Sequence, residues 1–312
     1  MSLLLFGEYS LRCLLECQCS MYNRDMEIPS DIKPYLGAIR RMSPSSHKGQ
    51  NGKVLLIGGS ELFHSASRWC LDVVSSMVDM VFYSSVPENN TLIQEAKREF
   101  WDGVVVPRGE LESYLNEAEV VVIGPGMTRD EQQTVGKATK EMTFAKPSAE
   151  AWNHDTYAVA NYLLSTYPKK KWVIDAGALQ MIEPALLNKH CIITPHPGEL
   201  DRVVTHAGNE QALLKTGVSI LLKGQEDKVY TVDKQLLVGG GNPGMTKGGT
   251  GDALAGLVAG LSVFTDDPFA AAVVASFVNK QAGDRLYTEV GPFFKTNALV
   301  EEIPRVLKEL LY

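Results

Sequence analysis

Between residues 239 and 261 the chain reads GGGNPGMTKGGTGDALAGLVAGL. Glycine, proline and asparagine fill the first half, which excludes a helix or a central strand there. From Thr250 onward the residues are small and apolar, and the stretch reads as a closely packed helix. A glycine-rich turn opening into a helix presents free backbone N–H groups at the positive end of the helix dipole. That is an anion hole, and phosphate is its natural anion. Four glycines fall between Gly244 and Gly251. Repeated glycine lowers stability unless backbone has to approach something closely, so phosphate binding is preferred here to a merely structural turn. Asp252 stands in the first helical turn. It could serve as a dipole-favoured acid alone, but a carboxylate beside phosphate repels the anion and is better read as a base for an attacking hydroxyl.

Elsewhere the chain alternates apolar runs that stop on turn residues with amphipathic stretches. Strands are predicted at 54–60, 80–84, 103–107, 119–126, 172–175 and 191–194. Three more follow closely at 219–223, 228–232 and 235–238, with a hairpin turn at Asp233 and Lys234. Helices are predicted at 31–42, 65–78, 90–100, 110–117, 155–167, 178–187, 199–216, 250–264, 268–288 and 297–311. Strands apolar on both faces belong to a parallel sheet covered by helices. The predicted fold class is α/β: a single doubly wound, mostly parallel sheet with helices on both faces and an antiparallel edge. In such sheets ligands gather at the carboxyl ends of the strands, which is where every glycine-rich motif falls.

Composition narrows the partners. A formal charge of -7 argues against nucleic acid as the main partner, and Lys169, Lys170 and Lys171 are most simply a solvated strand edge. Residues 1–20 are too short an apolar stretch, and too interrupted by Glu8, Arg12 and Glu16, to span a bilayer; they also lack the pattern of a secretory signal. Cys13, Cys17 and Cys19 are spaced C-x3-C-x-C, one residue short of the spacing that holds an iron–sulfur cluster in radical enzymes, and no cluster is expected. Cys70 and Cys191 read as reduced core residues, which points to the cytoplasm. Met21 and Met26 are alternative starts. Residues 1–30 are expected to be an extension outside the domain, and residues 31–312 the domain itself.

MTKGGTGDALAG resembles the G-x-G-D signature of the ribokinase-like superfamily. With IGGS, VVIGPG, VIDAGAL, TPHPGE and LLKG in that order, the chain from about residue 47 onward resembles the ADP/ATP-dependent NAD(P)H-hydrate dehydratase family. The resemblance implies a ribokinase-like fold and repair of the hydrated, redox-inactive forms of NADH and NADPH. It implies a homo-oligomer, with no nucleic-acid or membrane partner. The companion epimerase domain often fused upstream in that family is not expected. Asp252 matches the catalytic acid and also a substrate contact, and Ala66, Gly126 and His196 match further contacts to the hydrated dinucleotide. Gly249, Thr250 and Gly251 match the anion hole on the nucleotide, and Lys223, Gly224, Gln225, Glu226 and Asp227 match the adenosine side. Glu199 matches a glutamate that organises magnesium through water, and Asp175 an acid at the end of a central strand. One stretch departs from the pattern: Ser65, Ala66 and Ser67 stand where Gly-Ala-Pro is usual, followed by bulky Arg68 and Trp69.

The resemblance implies a carbon–oxygen lyase whose first step is a kinase step. Hydroxide is a poor leaving group, and phosphorylating the ring hydroxyl from ADP or ATP, with Mg2+, turns it into phosphate. Two other readings share the glycine loop: a kinase of a small alcohol, and a non-catalytic nucleotide sensor. Several residues also have a structural alternative. Asp175 could cap its turn, His196 could be a packed loop residue, Lys223 a strand-end lysine in solvent, and Glu199 a favourable first-turn acid.

Overall fold

The apolar runs that stop on turn residues become strands, buried on both faces at the centre of the sheet and partly exposed at its two edges. In the computed structural model, which describes residues 26–98 and 102–312, nine strands form one sheet: β1 (Lys53–Ile57), β2 (Met80–Ser84), β3 (Val104–Val105), β4 (Val120–Ile123), β5 (Lys171–Ile174), β6 (Cys191–Ile193), β7 (Ser219–Leu222), β8 (Asp227–Tyr230) and β9 (Gln235–Val238). Their order is β3-β2-β1-β4-β5-β6-β7-β8-β9. Pairing is parallel from β3 to β7 and antiparallel for β7–β8 and β8–β9. The strand order reverses between β1 and β4, and a crevice at such a switch point is where ligands bind in open α/β sheets. The cysteine, iron-cluster and Met21 readings at residues 1–25 lie outside the described residues.

The helices are α1 (Lys33–Gly37), α2 (Ser65–Ser75), α3 (Pro87–Ala96), α4 (Leu111–Glu117), α5 (Ala151–His154), α6 (Thr156–Thr166), α7 (Ala176–Met181), α8 (Pro197–Ala207), α9 (Glu210–Leu214), α10 (Thr250–Val263), α11 (Pro268–Val290) and α12 (Thr296–Leu311). Among the described residues, no helix is long and apolar enough to cross a membrane. Residues 35–312 form one compact unit, which carries the whole sheet.

The small residues of α10 have a packing reason. A Cβ on Gly256 would stand 2.7 Å from the Cys70 carbonyl, and one on Gly260 would stand 2.5 Å from Met77 Sδ. Glycine at 256 lets α10 lie against α2 at backbone distance, glycine at 260 makes room for the Met77 side chain, and Cys70 and Cys191 are free thiols in the core.

Several expectations need correction. The helix predicted over 31–42 is only α1, because the chain turns after Gly37 and the Arg40 amide donates to the Phe264 carbonyl. The helix predicted over 90–100 starts at Pro87, whose fixed φ suits a first helical position. The run 178–187 breaks into α7 and a single 3-10 turn at Pro184–Leu186, and 199–216 breaks at Gly208. Lys170 and Lys171 do not simply face solvent. Lys170 donates to the Ala118 carbonyl, while Lys171 donates to the Ser262 and Thr265 carbonyls at 3.1 and 2.9 Å, neutralising the negative end of α10.

Candidate active site

The turns after β1, β4 and β5 pack backbone against backbone. Gly59 donates to the Pro125 carbonyl at 2.7 Å. A Cβ on Gly126, whose φ is +75°, would lie 3.1 Å from the Ala66 Cβ, so these two predicted substrate contacts are brought together. A Cβ on Gly124 would fall 1.8 Å from the Asp175 carbonyl, and one on Gly177 would fall 2.0 Å from the Met127 carbonyl. Between them Ala176 is held at a φ of +46°, a conformation costing roughly 1–2 kcal/mol for a residue with a Cβ. The motifs VVIGPG and VIDAGAL are therefore two halves of one interlocked turn, and that interlock carries Asp175.

The Asp175 carboxylate, at 2% exposure, does not cap α7, since no cap hydrogen bond is made. It accepts instead from Lys223 Nζ at 2.9 Å. Lys223 follows β7, and its ammonium lies 3.9 Å from Glu199 Oε2 and 3.4 Å from where a Gly251 Cβ would stand. It is thus an internal cation beside the first turn of α10, not a strand-end lysine in solvent. Burial lowers its pKa, but Asp175 and then Glu199 outweigh this and hold it raised.

Asp252 faces the same cluster. Among the described residues, no other side chain makes a hydrogen bond or ion pair with its carboxylate. Burial, the Asp175 charge and, further off, Glu199 push its pKa up to about 7, against the opposing pull of Lys223. A carboxylate without a side-chain partner and with a pKa near neutral pH is a competent general base.

At the foot of α10, Gly249 is the N-cap, with a φ of +97°. The amides of Gly249 and Gly251 find no acceptor among the described residues, as an anion hole requires. The Thr250 hydroxyl donates back to the Met245 and Lys247 carbonyls, which tightens the loop. Not every glycine in the loop serves an anion. A Cβ on Gly244 would strike the Phe294 ring at 2.4 Å, and one on Gly249 would strike the Trp69 ring at 2.2 Å. Gly249→Ala is expected to lose most turnover and to lower the melting temperature, because both its φ and the Trp69 ring exclude a methyl. Wild-type melting and activity would show that the loop tolerates a side chain.

A cavity of about 700 Å³ opens beside this loop. Of the predicted nucleotide residues, Lys223, Gly224, Gln225, Asp227, Thr250 and Gly251 line it. Glu226 is exposed and does not, and Gly249 is turned toward Trp69. Asp227 organises the loop: it accepts from the Gly224 amide at 2.9 Å and from the Ser276 hydroxyl at 2.7 Å.

His196 also lines the cavity, and it caps α8. Its Nδ1 accepts from the Gly198 and Glu199 amides, while Glu199 Oε2 accepts from the His196 amide at 2.9 Å, closing a capping box. Nδ1 as acceptor places the proton of the neutral ring on Nε2, which lies 3.7 Å from Glu199 Oε2. The two Glu199 oxygens are taken by the His196 amide and by Gln180 Nε2 at 3.4 Å. Among the described residues, no group of three or more His, Cys, Asp or Glu could hold a metal ion.

The sequence pattern of the family described as NAD(P)H-hydrate dehydratase matches residues 54–305. The chain belongs to this family. A bifunctional NAD(P)H-hydrate repair enzyme of Methanocaldococcus jannaschii is 32% identical over 280 residues, covering 88% of this chain but 51% of that protein. The chain thus spans about half the length of that relative. An ADP-dependent (S)-NAD(P)H-hydrate dehydratase of Nitrosopumilus maritimus is 31% identical over 286 residues, 86% of this chain and 94% of the other. A crystal structure of a ribokinase-like superfamily protein from Enterococcus faecalis shares the fold at a TM-score of 0.72 and 22% identity, covering 91% of this chain and 95% of that one.

Within the family pattern, the departing stretch at Ser65–Trp69 has a local account. Trp69 packs its ring on Gly249 and donates from Nε1 to Asn297 Oδ1 at 2.7 Å, and Arg68 pairs with Asp72 one turn on at 2.6 Å. Sequence reasoning missed three features. Trp69 walls the anion loop. Lys280, on α11, lines the cavity. Glu183, at 1% exposure, accepts from the Gly136 and Ala138 amides and the Tyr157 hydroxyl, pinning a long segment after Gly126 that has no repeating pattern to read.

Proposed function

We propose that this chain converts hydrated NADH or NADPH back to NAD(P)H at the expense of ADP or ATP. The observation that carries the reading is Asp252: a carboxylate with no side-chain partner and a pKa of about 7, near Lys223 and directly after Thr250 and Gly251, which line a cavity of about 700 Å³. Asp252 takes the proton of the ring hydroxyl as its oxygen attacks the terminal phosphoryl group, and the nucleotide leaves one phosphate shorter. The Gly249–Gly251 amides and the Lys223 ammonium offset charge on the transferring group. The ring nitrogen's lone pair then expels phosphate, and proton loss from the neighbouring carbon restores the double bond. Ala66 and Gly126 shape the dinucleotide side, and His196 offers its Nε2 proton to it. Magnesium, when bound with the nucleotide, would neutralise phosphate charge, and Glu199 is the residue that would help to hold it. The reading includes a cytoplasmic homo-oligomer with residues 31–312 as the catalytic domain.

The test is to mix hydrated NADH, protein, magnesium and ADP or ATP and follow the dihydronicotinamide absorbance. Absorbance is expected to return only with nucleotide present. A stable phosphorylated small alcohol, with no return of absorbance under either nucleotide, would replace this reading with the kinase. Nucleotide binding with neither reaction would leave the sensor.

A further inference from the structure

Lys280 is 4% exposed, and among the described residues its ammonium makes no ion pair with Asp175, Glu199 or Asp252. It donates to the Gly224, Gln225 and Gly240 carbonyls at 3.2, 2.9 and 3.1 Å. Asp227 Oδ1 completes the shell at 3.4 Å. An ammonium has three N–H donors, and here all three are spent on main chain. None is left for a ligand, so Lys280 is not a phosphate contact. What it joins is more informative. Gly224 and Gln225 belong to the loop between β7 and β8, Gly240 to the loop between β9 and α10, and both loops wall the nucleotide cavity.

The surrounding sequence is shaped around this cation. Gly240 and Gly241 have φ of +95° and +87°, and a Cβ on Gly241 would press on Lys280 Nζ at 3.3 Å. One turn along α11, Asp284 accepts from the Gly241 amide and from Asn242 Nδ2, both at 2.9 Å. The GGGN run thus wraps over α11 with the Gly240 carbonyl turned in toward Lys280 and the Gly241 and Asn242 donors toward Asp284. Burying a lysine among carbonyls is costly unless the charge is paired and fully hydrogen-bonded; Asp227 and the three carbonyls supply both.

We infer that Lys280 is a tethered monovalent cation that holds the two nucleotide loops in binding geometry, a positioning residue for the nucleotide. The inference rests on the nucleotide reading of the cavity. A ring of carbonyl oxygens with one carboxylate is a ligand set that also suits a free monovalent cation of similar size. Shortening the side chain should therefore leave a site that an ammonium or potassium ion can fill.

The experiment is calorimetric titration of ADP with magnesium into wild type and Lys280→Ala, in sodium-free buffer, with and without ammonium chloride or potassium chloride. Removing three charge-assisted hydrogen bonds is expected to weaken ADP about tenfold or more. Ammonium or potassium should restore most of the loss, and tetramethylammonium, too large for the shell, should not. At saturating ADP, KM for the hydrate and the pH profile of turnover should be unchanged. Unaltered ADP affinity, or equal rescue by tetramethylammonium, overturns the inference. So does an equal loss of hydrate affinity, which would mark a general structural role. If Lys280→Ala does not fold, Lys280→Met with Asp227→Asn removes the stranded carboxylate, and the same weakening of ADP, now without cation rescue, is expected; wild-type affinity in that variant overturns the inference. Failure of wild type itself to bind ADP would instead sink the proposed function.

Discussion

Asp252→Asn is expected to lower kcat by about a hundredfold to ten-thousandfold, the range that a positioned general base contributes, while ADP binds as well as before or better. The asparagine keeps the shape and removes the negative charge that phosphate has to approach. Two further measurements separate this from a trivial loss of structure. Wild-type kcat/KM should rise as pH passes through about 7 and then level, because Asp252 must be ionised to act; the residual activity of the variant should lack that ionisation. Stability should move in the opposite sense. A carboxylate whose folded pKa is raised binds a proton more tightly in the folded than in the unfolded state. The protein therefore loses stability as pH climbs from the ordinary carboxylate range to about 7. Asparagine removes that penalty, so above pH 7 the variant should be more stable than wild type by roughly 1–3 kcal/mol. A variant with near-normal turnover, or one less stable than wild type at high pH, would contradict the role assigned to Asp252.

Lys223→Met is expected to damage both turnover and stability. It strands Asp175 at 2% exposure without its cation, and breaking a buried pair from one side costs about 3–5 kcal/mol. It also removes the positive charge beside Gly251, for which a loss of about a hundredfold to a thousandfold in kcat/KM is the expectation for a preorganised stabiliser of transition-state charge. Since Lys223 opposes the upward push on Asp252, the pH profile of the variant should shift to the alkaline side. Adding Asp175→Asn should recover most of the stability and little of the turnover. If the double variant recovered turnover as well, Lys223 would be only a counter-charge for Asp175. Thermal melts and pH–rate profiles of the three proteins decide this.

How far each residue could be read in advance depended on how local its reason was. β1, β4, β5 and β6 were legible because two-sided burial leaves an unbroken apolar run, and the antiparallel edge because its strands are too close for a crossover. α10 was legible from small residues after a glycine turn. β3 is shorter than its apolar run, since Val104 and Val105 alone pair with β2, and apolar composition does not report where pairing stops. Asp252 was legible because an acid at a helix start behind glycines is a local pattern with a chemical meaning.

The roles left open were those fixed by partners far along the chain. Asp175 could be a cap or a site acid until Lys223, 48 residues on, was found to hold it. His196 and Glu199 proved to be a capping box as well as cavity and cluster residues, because one short turn satisfies its own amides with the side chains that it presents. Lys280 carries no sequence signal, since a lysine in a helix is ordinarily solvated, and only the two loops folded over α11 turn it inward. By itself the sequence determined the doubly wound sheet, the glycine loop at the foot of α10 and the acid that follows it. These follow from periodicity, from backbone freedom and from the charge beside an anion hole. Only the tertiary structure decided which glycines pack on Trp69 or Phe294, which acid pairs with Lys223, and which is left without a side-chain partner. Those outcomes depend on distances between segments that the chain brings together only when the sheet closes.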